Sequence, residues 1–367
     1  MRVAIAGGGT GGHLFPALAV GEALKARGHE VLVFISEKEV DALAIKGRSD
    51  FRFEKLPSVG MPKLLSPAIF AFLSRFNASL APCRRIFAEF KPDAVLGMGG
   101  FTSTPPILAG KLRRVPTFIH ESNAIPGKAN KINARLSTRV LLGFSECRRF
   151  FPQAKCEVTG TPIRSSLMKR VPREKALDLF GLKPDRLTVL VMGGSQGARG
   201  INEAVRQAVP HLSAGRFQFV HLTGPQGEQE MRETYAKASI PAHVAPFCHE
   251  MEAAYSAADL VIARSGAASL AEISHFGLPG VLIPYPYAAE NHQHFNAEIF
   301  ARAGAATLLK EADATGETLS AVIRNLTGDA GQLQTMAGRC RSLAPDDAAE
   351  RVAATVERYC ETHRKNL

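Results

Sequence analysis

Three times in this chain a short apolar run breaks into clustered glycines and then resumes with helical spacing. The stretches are "RVAIAGGGTGGHLFPALAV" at the start, "PDAVLGMGGFTSTPPILAGKL" from residue 92 and "LTVLVMGGSQGARGINEAVRQAV" from residue 187. A helix can follow a strand this closely only if the turn tolerates tight or left-handed backbone, which glycine supplies. Strand, glycine turn, helix, strand is the repeating unit of a doubly wound parallel sheet. "EVLVFIS" follows the first helix, which Gly28 closes, and "PTFIHESNAIPGKAN" adds a strand that ends in a polar loop. After the third turn, "QFVHLTG", "HVAPFCHEM", "ADLVIARSGAASLAEISHFG" and "PGVLIPYP" continue the alternation. The expected class is α/β, with two Rossmann-like domains in tandem. They span residues 1–163 and 164–344, and the join lies near "VTGTPIRSS" at 158–166. Residues 347–362 have helical spacing with no strand after them, so a C-terminal helix within 345–367 is expected to pack back across the join.

A chain of 367 residues has ample length for two cores. The six cysteines are far apart with no CxxC pair, which fits free thiols in a reducing cytosol and argues against a structural zinc site. The apolar run before the first glycines is too short for a signal peptide, and no stretch approaches the length of a membrane span. A cytosolic protein, or one attached only to a membrane surface, is expected. The net charge of +11 is unevenly placed. Residues 1–164 hold 24 Lys and Arg against 12 Asp and Glu, and the remainder holds 21 against 22. The first half therefore either faces something anionic, such as a nucleic acid, a membrane surface or a phosphorylated substrate, or simply presents a soluble basic surface.

Gly7, Gly9 and Gly12 satisfy the spacing of a dinucleotide fingerprint. Each of the three glycine turns would present backbone N–H groups at a helix N-terminus, where phosphate binds. A dehydrogenase is disfavoured because the acid expected at the end of the second strand is missing, "VFISEKE" offering only Glu37 and Glu39 beyond it. Two α/β domains with their strand ends against one cleft suit group transfer from a nucleotide better. In "ARSGAASLAEISHFGLPGVLIPYPYAAENHQHFNA", residues 263–297, "RSGAAS" opens a helix suited to a diphosphate. Glu272 on that helix either accepts two hydrogen bonds from a ribose diol or serves the helix N-terminus. Asn291, Gln293 and Asn296 either read sugar hydroxyls or cap the next helix.

Taken in order, "GGGTGGHLFPALAV", "GMGGFTSTPP", "HESNAIPGKAN", "GTPIR", "GGSQGAR", "ARSGAASLAEI" and "GLPGVLIPYPYAAENHQHFNA" resemble the successive motifs of the MurG family. These are two-domain N-acetylglucosaminyltransferases of peptidoglycan synthesis with the GT-B fold. The resemblance covers residues 7 to about 297. It implies transfer of GlcNAc from UDP-GlcNAc, with inversion, to the C4 hydroxyl of MurNAc in undecaprenyl-diphosphate-MurNAc-pentapeptide (lipid I), giving lipid II. It also implies a peripheral enzyme at the cytoplasmic face of the bacterial inner membrane, with an anionic membrane surface as partner, no nucleic acid and no cofactor. Carried over by residue, Thr10, Gly11, Gly12 and Asn123 face the donor, and Arg164 and Ser195 meet its diphosphate. Cys248 reads uracil through its backbone with Phe247 against the base. Ala267, Ala268 and Ser269 hold phosphate, Glu272 the ribose and Gln293 the GlcNAc hydroxyls. Thr161, Ser122 and His292 depart from the family's usual asparagine, glutamine and glutamine.

An inverting transfer needs a base for the acceptor hydroxyl and a means of stabilising the departing UDP. His13, directly behind the first glycines, is the candidate base, since an ordinary imidazole pKa of about 6.5 suits the task. The alternatives for His13 are capping the first helix or binding the acceptor's diphosphate, and His120 and Glu121 stand in reserve as bases. No Asp-x-Asp pair occurs, so no protein-bound catalytic metal is expected. In "MPKLLSPAIFAFLSRFNASLAPCRR", Ile69, Phe72, Leu73, Phe76 and Leu80 recur at helical spacing among Lys63, Arg75, Arg84 and Arg85. Such a segment either lies in a bilayer interface or covers the first sheet.

Overall fold

The computed structural model describes residues 1–57, 68–151, 156–194 and 196–365. It divides into two compact units, Met1–Ser165 with Asp347–Leu367, and Ser166–Asp346.

The first unit carries strands β1 (Arg2–Ala6), β2 (Glu30–Ser36), β3 (Arg52–Leu56), β4 (Ala94–Gly97), β5 (Thr117–Glu121), β6 (Arg139–Leu142) and β7 (Cys156–Val158). All pair in parallel, in the order β3-β2-β1-β4-β5-β6-β7. Helices α1 (Gly11–Ala26), α2 (Glu39–Ala44), α3 (Ala68–Phe90), α4 (Thr104–Leu112) and α5 (Lys128–Leu136) connect them. Side chains alternate across a strand, so Val3 and Ile5 enter one core with Leu14, Leu18 and Val33, while Ala4 and Ala6 enter another with Phe34, Phe87 and Ile107. Because both faces are covered, the strands read as unbroken apolar runs.

The second unit holds helices α6 (Arg173–Leu179), α7 (Arg199–Ala208), α8 (Glu228–Lys237), α9 (Met251–Ala257), α10 (Ala267–Phe276), α11 (His292–Arg302), α12 (Gly316–Thr327) and α13 (Ala330–Arg341). They surround strands β8 (Leu187–Met192), β9 (Phe217–Leu222), β10 (Ala242–Ala245), β11 (Leu260–Ala263), β12 (Gly280–Leu282) and β13 (Ala306–Leu308). This sheet is also all parallel, ordered β10-β9-β8-β11-β12-β13.

The last helix, α14 (Ala348–Lys365), belongs to the first unit. Val352, Ala353, Val356 and Cys360 are 0–2% exposed, in the core that holds Val3, Ile5 and Leu14. Arg27 pairs with Glu350 and Glu357, and Arg358 with Glu157, at its margins. These pairs are largely exposed and add little, whereas burying the two valines contributes roughly 3 kcal/mol or more.

The segment read either as a bilayer-interface helix or as a cover for the first sheet forms most of α3. Its C-terminal half serves the sheet, with Cys83, Ile86, Phe87 and Phe90 buried and Leu80 packed against them. Phe72 and Phe76 stack half-buried, Phe72 also meets Phe101 edge-on, and Arg75, Arg84 and Arg85 are exposed. Lys63 and the side chains of Ile69 and Leu73 lie outside the described residues. Among the described residues no helix is long and apolar enough to cross a membrane.

Candidate active site

In each sheet the strand order reverses direction next to the first strand, and ligands of open α/β sheets bind at the carboxyl ends of the strands flanking that point. In the first unit those strands are β1 and β4, and their glycine turns meet each other. Gly8 crosses so close to β2 that a Cβ there would lie 2.2 Å from the Ser36 amide nitrogen. Gly99 and Gly100 have φ of +106° and +70°. A Cβ on Gly99 would lie 2.9 Å from Cδ2 and Nε2 of His13, and one on Gly100 3.3 Å from its Nδ1. The second glycine turn is thus the seat of the His13 ring.

His13 is the third residue of α1 and half-buried. Its Nδ1 lies 3.2 Å from the Thr10 hydroxyl oxygen. Thr10 is the N-cap of α1 and Gly11 and Gly12 open it, but no side chain caps its amides. At the third position of α1 the His13 ring lies within reach of the N-cap residue.

The two reserve bases are excluded by their surroundings. His120 is fully buried, its Nε2 donates to the Gly160 carbonyl at 2.8 Å, and its Nδ1 lies 3.1 Å from the Ser122 hydroxyl. Burial pushes its pKa down to about 4, so it stays neutral with both nitrogens engaged. Glu121 is buried and accepts four hydrogen bonds, from the Asn123 amide and side chain, the Gly127 amide and Asn130, all at 2.9–3.0 Å. Its carboxylate folds the 121–127 loop and orients Asn123. Arg164 stacks its guanidinium 4.6 Å above the Phe15 ring of α1.

Asp41 on α2 is the acid facing the first glycine loop, which corrects the expectation that only Glu37 and Glu39 were on offer. It is fully buried, and its Oδ2 accepts from the Gly9 amide (2.7 Å), the Ser36 amide (2.8 Å) and the Ser36 hydroxyl (2.6 Å). Fully buried, with Oδ2 taken by Gly9 and Ser36, it braces the loop from beneath and is not presented to solvent. Asp41 lies five residues beyond the end of β2 and acts from the following helix, outside the strand-end position where such an acid is expected.

In the second unit the flanking strands are β8 and β11. The loop after β8 packs backbone on backbone against the turn after β9, for a Cβ on Gly197 would lie 2.3 Å from the Thr223 carbonyl oxygen. Ser195 lies outside the described residues. After β11, Arg264 is buried, donates to the Ile283 and Pro284 carbonyls at 3.0 and 3.1 Å, and pairs with Glu311. Ser265 and Gly266 then lead into α10, whose first residues are Ala267, Ala268 and Ser269. No side chain caps this helix, and the space above Gly266 is open for 4 Å.

Glu272 is the sixth residue of α10, beyond the first turn where a helix dipole acts, so the end-charge reading does not fit. It is 8% exposed and accepts a 2.7 Å hydrogen bond from the Tyr255 hydroxyl, a partner that sequence reasoning missed. Gln293 is half-buried; its side-chain oxygen accepts from the Tyr285 amide at 2.9 Å, while the Ser265 hydroxyl donates to its backbone carbonyl. Asn296 is buried and donates to the Ser265 carbonyl. Asn291, left-handed at φ +54°, takes the N-cap position of α11 without a side-chain cap bond. Cys248 is buried, which pushes its thiol up to about 11, so it carries no charge at neutral pH. Its neighbour Phe247 is half exposed. Among the described residues no group of three or more His, Cys, Asp or Glu is placed to hold a metal ion.

Both units match known proteins. The N-terminal domain of glycosyltransferase family 28 matches residues 3–142, and its C-terminal domain matches residues 188–352. A protein of Solibacter usitatus, named UDP-N-acetylglucosamine–N-acetylmuramyl-(pentapeptide) pyrophosphoryl-undecaprenol N-acetylglucosamine transferase, is 38% identical over 355 residues, 96% of this chain and 94% of that protein. The protein of the same name from Halothermothrix orenii is 39% identical over 347 residues, 92% of this chain and 93% of that one. A crystal structure of Acinetobacter baumannii MurG superposes with a TM-score of 0.78 at 29% identity, covering 97% of this chain and 99% of that one. The chain belongs to the MurG family of glycosyltransferases.

Its two parallel-sheet units are the two halves of the family's GT-B fold. Where it departs from the MurG motifs, the replacements are tied into the local structure. Ser122 meets His120, Thr161 is buried close against Gly143, and His292 lies with its Nδ1 2.7 Å from the Ala289 carbonyl oxygen.

Proposed function

We propose that this MurG-family chain transfers GlcNAc from UDP-GlcNAc to the C4 hydroxyl of MurNAc in undecaprenyl-diphosphate-MurNAc-pentapeptide, producing lipid II with inversion. The observation that carries the reading is identity of 38% along nearly the whole chain to enzymes named for this transfer. His13, held between two glycine turns at the reversal of the first sheet, supports it chemically.

His13 takes the proton from the acceptor hydroxyl as that oxygen attacks the anomeric carbon. In the tautomer whose Nδ1 donates to the Thr10 oxygen 3.2 Å away, Nε2 carries the lone pair that accepts it. The glycosidic bond forms as the bond to the diphosphate breaks, and negative charge grows on the departing UDP. The uncapped amides of Ala267, Ala268 and Ser269, with Ser195 and Arg164, meet that charge, as donors already oriented are worth most where charge develops. Glu272 holds the ribose, the Cys248 backbone and Phe247 the uracil, and Gln293 the GlcNAc hydroxyls. Thr10, Gly11, Gly12 and Asn123 border the reacting sugar.

The acceptor is a lipid, and the proposed place of work is the cytoplasmic face of the inner membrane. Phe72 and Phe76 with Arg75, Arg84 and Arg85 on α3 then meet anionic headgroups. The decisive test is His13→Ala assayed on a lipid I analogue. Turnover should fall by about 10²- to 10⁴-fold with UDP-GlcNAc affinity retained, and near-normal turnover would sink the assignment. Co-sedimentation with vesicles should rise with anionic lipid content and fall with salt; indifference to both refutes the membrane contact.

A further inference from the structure

Tyr255 lies on α9 with 1% of its surface exposed and its ring stacked on Phe276 at 5.0 Å between centroids. A buried tyrosine needs a partner for its hydroxyl, and this one reaches two segments at once. The hydroxyl donates to Oε2 of Glu272 at 2.7 Å and lies 3.6 Å from the sulfur of Met192, the last residue of β8. Those two segments flank the reversal of the second sheet, where β8 runs into its glycine loop and β11 into α10. The terminal torsion of a glutamate is broad and nearly two-fold, so nothing in its own chemistry selects one carboxylate plane. A short hydrogen bond to one oxygen selects it.

We infer that Tyr255 is a positioning residue for the donor's ribose: its hydroxyl sets the plane of the Glu272 carboxylate before the nucleotide arrives and ties it to the end of β8. The inference rests on the proposed ribose role of Glu272. A vicinal diol is recognised by two hydrogen bonds whose directions must both be met, so a carboxylate held less firmly in one plane loses part of its preference for a diol over a single hydroxyl.

The experiment compares UDP-GlcNAc with its 2′-deoxyribose and 3′-deoxyribose analogues in the wild type, Tyr255→Phe and Glu272→Gln, using a lipid I analogue as acceptor. Phenylalanine keeps the ring on Phe276 and removes only the hydroxyl. The wild type should prefer the intact ribose by about 10- to 100-fold in kcat/KM, the range of hydrogen bonds to a charged group. Tyr255→Phe should raise KM for UDP-GlcNAc by about tenfold, leave kcat within about twofold, and shrink the preference to about threefold. Glu272→Gln should abolish it. If Glu272→Gln keeps the preference, the ribose role fails and the inference with it. If Glu272→Gln loses it while Tyr255→Phe keeps the wild-type ratio, whether or not Tm falls, the ribose role stands and the positioning role of Tyr255 is overturned. A hydroxyl that merely satisfied burial would change Tm and leave the ratio alone.

Discussion

Gly99→Ala is the sharpest perturbation of the acceptor side, because it touches His13 without altering any titrating group. The new Cβ starts 2.9 Å from Cδ2 and Nε2 of the imidazole, against an ordinary carbon contact of about 3.5–4.0 Å. The ring must therefore move by roughly 0.6–1 Å, and a misplacement of that size costs about 10²-fold in rate. The backbone also carries a penalty, for φ of +106° is left-handed and costs an alanine about 1–2 kcal/mol. Gly28→Ala isolates that second effect, since Gly28 has φ of +80° and nothing within 4 Å of its Cβ position. The two variants should lose similar Tm, about 2–4 °C per kcal/mol for units of this size. Only Gly99→Ala should lose turnover, with KM for UDP-GlcNAc within about twofold of wild type. Gly100→Ala, whose Cβ would sit 3.3 Å from Nδ1, should fall between them. In the double variant with His13→Ala, the Gly99 change should cost nothing further, because the group it displaces is gone. Turnover of Gly99→Ala as fast as that of Gly28→Ala would refute the seating of His13 on Gly99.

Other expectations follow from buried groups. Burial holds His120 at about 4 and His221 at about 3, both below the unfolded value of about 6.5. Between those limits the unfolded chain binds protons that the folded chain refuses, so stability is complete above about pH 6.5 and falls as the pH drops towards 4. Each histidine should remove about 1 kcal/mol per pH unit in that window, and urea melts at pH 7.5, 6 and 5 would show it; equal midpoints contradict it. Asp41→Ala strips the acceptor from the Gly9 and Ser36 amides, so it should cost about 1–3 kcal/mol and lower kcat more than donor affinity, measured by denaturation and steady-state rates. Val356→Ala opens the core beneath α14 and should cost about 2 kcal/mol in a denaturant titration; a change below about 0.5 kcal/mol would mean the helix is not needed there.

Much of the fold is legible in residue order. "RVAIA", "EVLVFIS" and "LTVLVM" read as strands because a parallel sheet covered on both faces needs apolar residues at every position. The glycine clusters read as turns because glycine tolerates tight and left-handed backbone, and at Gly8 and Gly197 the neighbouring backbone leaves no room for a side chain. "GGTGGH", "RSGAAS" and Glu272 follow the strands β1 and β11 that flank the reversals of strand order, where ligands of such sheets bind. The roles of single side chains were not legible, since each depends on a partner far along the chain. His13 needs Gly99, Asp41 needs Gly9, His120 needs Gly160 and Glu272 needs Tyr255. His120 shows the limit plainly: histidine beside glutamate in a polar loop reads as acid–base chemistry, and only burial with both nitrogens engaged makes it a neutral strut. Residue order alone determined the strands, the turns and the run of motifs that resembles a family; that His120 stays neutral was decided by packing, because burial and hydrogen-bond saturation exist only once the chain has folded.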